Sequence, residues 1–300
     1  MKKTLAALLL LGMPALALAK VPVVASFSII ADMAREIGGD RVEVVSLVGP
    51  DQDAHVFQPS PADIKKVSAA KVLVTNGLGL EGWMTRLDKA ANFRGVTVVA
   101  SKGIRTREAP EEEHAEDGHD HGHDHGAVDP HAWHDPARVQ TYIRNISAGL
   151  IQADPAGKAE YQRRAADYAA KVKAVDDWAQ RQFAAVPPAK RKILTSHDAF
   201  GYLGERYQLK VLAIQGVSTE SEASAKGVAQ LTRQVRKEGV KAVFMENMSD
   251  ARLLRQLSAE AKVQIGGKLY ADALSGPGGP AASYLQLMRY NVDTIMKSFR

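Results

Sequence analysis

The chain has 300 residues, 45% of them hydrophobic and 24% charged, enough to bury one large core or two smaller ones, so disorder can only be local. It has no cysteine, which excludes disulfides, thiolate metal sites and a lipid-anchored thiol. The net charge of +5 comes from lysines and arginines scattered along helical faces without interleaved aromatics, as at Arg233, Arg236 and Lys237, so a nucleic-acid partner is not expected.

Residues 1–19 carry Lys2 and Lys3, an apolar run from Leu5 to Leu18 broken by Pro14, and Ala17 and Ala19 at a cleavage point. This is the pattern of a secretory signal peptide, too short and interrupted to be a membrane span. Its removal leaves an exported, periplasmic chain with a charge of +3.

From Val21, short β-branched runs alternate with amphipathic segments: VPVVASF, RVEVVSLV, KVLVTNG and VTVVA predict strands, with helices between. The rhythm resumes at KILTSH and continues through LKVLAIQGV, VKAVFMEN and VQIGGKLY. The fold class expected is α/β, with two lobes that are each a mostly parallel sheet flanked by helices. The expected boundaries are an N-terminal lobe over 20–152, with a disordered histidine-rich loop at about 108–128, and a C-terminal lobe over 187–300. Between them, 153–186 predicts one long rigid helix, with Asp154 as its cap and Pro155 at its first position. Tyr161, Ala165, Tyr168, Val172, Val175 and Ala179 repeat at helical spacing, and Pro187 and Pro188 stop it.

Seven of the nine histidines fall between His114 and Pro136. Five of them, His114, His119, His121, His123 and His125, alternate with acids and glycines, a composition that buries nothing. The other four are His55 in the loop after the second strand, His131 and His134 in DPHAWHDP, and His197 after KILTS. Carboxyl ends of strands in open parallel sheets form ligand crevices, so His55, His131 and His197 point to one shared inter-lobe metal site. Imidazoles suit zinc, and without cysteine the fourth donor is a carboxylate or water. Asp272, after the last strand, occupies the same kind of position. Asp53, Asp129 and Asp135 fit turn-forming or ligand-orienting roles.

DAHVFQPSPADIKKVSAAKVLVTNGLGLEGW, DPHAWHDPARV, LTSHDAFGYLGERYQL and YADALSGPGGPAASYLQLMRYNV resemble, in order and spacing, the metal-binding solute-binding proteins of ABC transporters, the ZnuA/TroA-like group. The resemblance covers nearly the whole mature chain. It implies a single long helix between two lobes, capture of Zn2+ by His55, His131, His197 and Asp272, and delivery to an ABC transporter permease. His197 stands where manganese carriers commonly have a carboxylate, which favours zinc, with a manganese carrier as the alternative.

The resemblance also implies an auxiliary role for the five-histidine tract: collecting zinc weakly, sensing it, or receiving it from a periplasmic donor protein. Ordering a glycine-rich loop costs roughly 1 to 2 kcal/mol per residue, so the tract is not the tight site. His134 replaces an apolar residue of the family pattern; an extended loop would put it opposite His131, as a rim residue. Glu246, at a strand end, is expected to line the cleft as a second rim residue or form a turn, and Trp133 and Phe200 to wall the cleft or pack in the core.

Gly77-Leu-Gly-Leu-Glu-Gly82 satisfies a dinucleotide-binding fingerprint by letter, but no ribose-binding acid ends the next strand, and a backbone turn is expected instead. A zinc hydrolase is a second function class, opposed by the lack of HExxH and of an anchored general base. An adhesin-like role has no positive signal. The chain is read as a monomer and not an enzyme.

Overall fold

The computed structural model describes residues 19–109, 128–220, 225–249 and 252–299. The signal expectation, save Ala19, and the five histidines of the tract lie outside them. The first sheet contains β1 (Val21–Phe27), β2 (Val42–Val48), β3 (Val72–Thr75) and β4 (Val96–Val99) in the order β2-β1-β3-β4. The second contains β5 (Lys192–His197), β6 (Lys210–Gln215), β7 (Ala242–Glu246) and β8 (Gln264–Leu269) in the order β6-β5-β7-β8. Every pairing is parallel. Each sheet reverses strand order once, and ligand crevices open at the carboxyl ends beside such a reversal. The expected fold class is therefore the observed one: two α/β lobes, helices on their sheets, and one long connecting helix.

In the first half, α1 (Ser28–Gly38), α2 (Pro61–Ala69) and α3 (Met84–Ala91) link the strands, and α4 (Pro136–Ala153) begins at the last residue of DPHAWHDP. Ser60 caps α2 reciprocally with Asp63, and Pro61 supplies the pre-set first turn. The connecting helix α5 is Lys158–Ala184, 27 residues or about 40 Å. It begins later than the sequence predicts. Asp154 does not cap an amide with its side chain, because its Oδ2 accepts from Arg41 and from Tyr161, and a 3-10 turn (Pro155–Gly157) precedes the helix.

Tyr161, Tyr168, Val172, Val175, Ala179 and Phe183 are the buried apolar face of α5. That face packs against α1 and α4 on one side and against α6 (Gly201–Tyr207) and α9 (Tyr284–Lys297) on the other. One apolar core consequently runs through both halves, from Val23 and Phe27 to Phe244, Leu269 and Ile295. A smaller core of Leu194, Val235, Val243 and Leu257 lies under α7 (Ala225–Glu238) and α8 (Arg252–Ala261).

A carboxylate also joins the halves. Asp32 of α1 accepts from the backbone N–H of Tyr284 at 2.8 Å, at the start of α9. Burial pushes its pKa up to about 6, against the lowering effect of that amide. A folded-state pKa above the unfolded value gives stability that is present below about pH 4 and lost as pH rises through about 6. Asp32→Asn keeps the acceptor and removes the charge. It is expected to stabilise the protein at pH 8 by on the order of 2 kcal/mol, discounted for partial exposure, with about half that gain at pH 5. Thermal melts of both forms at the two pH values check this, and equal gains at both refute it.

Candidate metal centre

His197 is the last residue of β5, Asp272 follows β8, His55 sits in the loop after β2, and His131 begins the turn that leads into α4. Four distant points of the chain thus meet at the carboxyl ends of both sheets. The four side chains each offer a ligand atom within 4.8 Å of the others, and all are buried. His55 Nε2 lies 3.3 Å from His131 Nε2 and 3.3 Å from Asp272 Oδ2. His131 Nε2 lies 3.5 Å from Asp272 Oδ1, and His197 Nε2 lies 3.0 Å from Asp272 Oδ2. A tetrahedron with metal–ligand bonds of about 2.0 to 2.1 Å has edges of about 3.3 Å. With Asp272 Oδ2 as the carboxylate donor, three of the six donor pairs, at 3.0 to 3.3 Å, match such edges.

Lone pairs converging on one point explain another feature. His197 Nε2 and both oxygens of Asp272 are buried and make no hydrogen bond among the described residues, although they approach each other closely. Buried polar atoms without partners are costly, and a central cation satisfies all three at once. The charges point the same way. Burial raises the Asp272 carboxyl, but the His197 and His131 rings outweigh it and hold it well below the usual carboxylate range. Burial opposes charge on His197, but Glu246 and Asp272 outweigh it and raise its pKa well above the usual histidine value. The pocket is built to hold positive charge.

Two of the rings are aimed from behind. Asp129 Oδ1 lies 2.9 Å from His131 Nδ1 and accepts from the His131 backbone N–H at 3.0 Å, while its Oδ2 accepts from Arg107 at 2.7 Å. Glu246 accepts from the His197 backbone N–H at 3.0 Å and meets Nδ1 of the same ring. A proton fixed on Nδ1 leaves Nε2 with its lone pair free for a metal. Glu246 is 3% exposed, so it is no rim residue; it orients His197. Trp133 donates to the Ala271 carbonyl at 3.0 Å and so anchors the Asp272 loop, and its ring stands 5.2 Å from that of His131.

His134 departs from expectation. The segment is a 3-10 turn (Ala132–His134), not an extended loop, so His134 turns inward and is fully buried. Its ring lies 4.5 Å from that of Phe200, neither nitrogen has a hydrogen-bond partner among the described residues, and burial, reinforced by His131, pushes its pKa down to about 3. It is a neutral packing residue behind the centre. Asp135 caps α4 by accepting from Ala137. The glycine-rich turn after β3 is also filled: the buried Glu81 carboxylate accepts from the backbone N–H groups of Asn76 and Gly77 and from Ser26, leaving no nest for a phosphate. Arg107 had no sequence signal, since it lies 22 residues from its partner Asp129.

A two-lobed α/β protein with a buried His3Asp cluster between its sheets is a metal-binding solute-binding protein by architecture. Residues 23–298 match the ZnuA family model, zinc-uptake complex component A, periplasmic, and the chain belongs to that family of periplasmic metal-binding components of ABC transporters, which work with a permease and an ATPase. It is 33% identical to the iron-binding protein YfeA of Yersinia pestis over 282 residues, covering 93% of this chain and 86% of that one. It is 31% identical to the manganese-binding lipoprotein MntA of Bacillus subtilis, covering 94% and 90% of the two chains. Among solved structures, the periplasmic zinc-binding protein TroA from Treponema pallidum superposes with a TM-score of 0.85 at 28% identity, covering 94% of this chain and 99% of that one. Relatives in this family are solute-binding proteins, and no helix among the described residues is long and apolar enough to cross a membrane.

Proposed function

We propose that this chain is an exported zinc carrier that binds Zn2+ through His55, His131, His197 and Asp272 and presents it to an ABC permease. The observation that supports the reading is four buried donor groups within 4.8 Å of one another, three of whose separations, 3.0 to 3.3 Å, match the edges expected of a four-coordinate zinc site. Three nitrogens and one oxygen suit zinc better than manganese, which prefers more oxygen donors. Closure by four protein donors leaves no open position for a substrate, which supports a carrier over a hydrolase. The lobe limits follow the sequence reading, with the signal over 1–19, lobes over 20–152 and 187–300, and the connector over 153–186; the carrier acts as a monomer. The five-histidine tract gathers zinc weakly or receives it from a donor protein.

Manganese transport is the second reading. It is favoured by the manganese-binding relative MntA and by Asp272 Oδ1, a second buried carboxylate oxygen 3.5 Å from His131 Nε2 that would raise the coordination number if it also ligated.

Equilibrium competition between Zn2+ and Mn2+ on purified protein, with elemental analysis, separates the two. Zinc is expected to win by at least roughly a hundredfold; equal or better binding of manganese rejects the zinc reading. The same titration carries a pH test. Zinc must displace the proton that His197 holds above the usual histidine range, so affinity rises with pH and keeps rising above neutrality. An affinity that is flat between about pH 5 and 7.5 contradicts it.

A further inference from the structure

We propose that metal enters and leaves past His55, through a vestibule between the loops that follow β3 and β6, and that the hydrogen bond from Thr219 to Asp53 is the latch that times its passage. The proposal rests on the reading that His55, His131, His197 and Asp272 hold the metal.

Burial gives the direction. His131, His197 and Asp272 are 0% exposed, whereas His55 is 5% exposed. His55 also lines a cavity of about 400 Å3, whose walls include Leu80 and Gly82 on one side, Ser218 and Glu220 on the other, and Val128. Of the four side chains, it alone has a face on this space.

Support gives the order of engagement. The His131 ring is backed by Asp129 and Arg107, and the His197 ring by Glu246. No carboxylate backs Nδ1 of the His55 ring among the described residues; Asp53 holds this residue through its backbone N–H at 2.8 Å. Three donors therefore form a rigid floor, and the fourth is the one free to swing.

Asp53 gives the coupling. Its Oδ1 accepts from His55, while its Oδ2 accepts from the Thr219 hydroxyl at 2.7 Å, across the cleft. One carboxylate ties the swinging ligand to the opposite wall of the vestibule. Near Asp272 the halves are stitched separately, by Asn247 to Asp51 at 2.9 Å and by Asp51 N–H to the Leu274 carbonyl at 2.9 Å. Opening at Thr219 leaves those bonds intact, so the vestibule edge moves while the floor stays.

Stopped-flow measurement of Zn2+ association, and of dissociation into a chelator, tests this on the full chain. Thr219→Val removes the hydroxyl and keeps the shape. Both rates should rise about fivefold, the factor that one hydrogen bond is worth, with equilibrium affinity changed less than about threefold. Gly82→Phe fills the vestibule, because a Cβ there meets nothing within 4 Å, and should slow both rates together. Ser218→Tyr, on the other wall, should slow them likewise if the first filler does not fold. Ala170→Phe, on the exposed face of α5, should change neither. Unchanged rates in Thr219→Val or in both fillers overturn the route, as does faster dissociation with a matching loss of affinity. If the unmodified protein takes up no zinc at the four-residue site, the site reading fails with it; normal uptake with unaltered kinetics sinks the route alone.

Discussion

His131→Ala is expected to abolish tight metal binding and leave the protein folded. The affinity follows from the donor count. Structural zinc sites bind with about 10 to 16 kcal/mol, so one donor of four carries roughly 3 kcal/mol, a loss of about a hundredfold or more. Folding should survive because Asp129 retains Arg107, and the apolar core does not depend on the imidazole. Isothermal titration with zinc and circular dichroism on the same sample check both halves. The paired control is deletion of 111–126, which should preserve the tight site while lowering total zinc stoichiometry or slowing uptake. Loss of tight binding on that deletion, with retention in His55→Ala, would reverse the two roles.

Zinc itself should stabilise the protein strongly. At a thousandfold excess over the dissociation constant, binding to the folded form alone contributes about 4 kcal/mol. At about 2 to 4 °C per kcal/mol for a chain of this size, the melting temperature should rise by roughly 10 °C, and a chelator should return it. The unpartnered atoms of His197 and Asp272 are the reason: a cation removes their desolvation cost on the folded side only. A melting point indifferent to zinc would mean that these atoms are satisfied in some other way.

The strands were readable because β-branched runs such as VVAS, VLVT and KILT in two-sided sheets have no polar face to confuse the period. The histidines and Asp272 were readable because strand ends in parallel sheets are where a crevice must form. What escaped depended on contacts between remote residues. The start of α5 turned on Arg41 taking the Asp154 carboxylate across 113 residues. His134 was misplaced because one 3-10 turn brings positions i and i+3 to the same side, whereas an extended loop separates them. Glu246 could be seen at a strand end, but its aim at His197 depends on how β5 and β7 pair.

The apolar core that runs unbroken beneath α5 has a consequence for the transporter. Two halves fused along their floor cannot swing wide like a clamshell without exposing that seam to water, at about 25 cal/mol for every Å2 uncovered. Laden and empty carriers must then present nearly the same silhouette. Movement on loading and unloading is then expected at the loops above the sheets, which is the face a membrane complex would have to read.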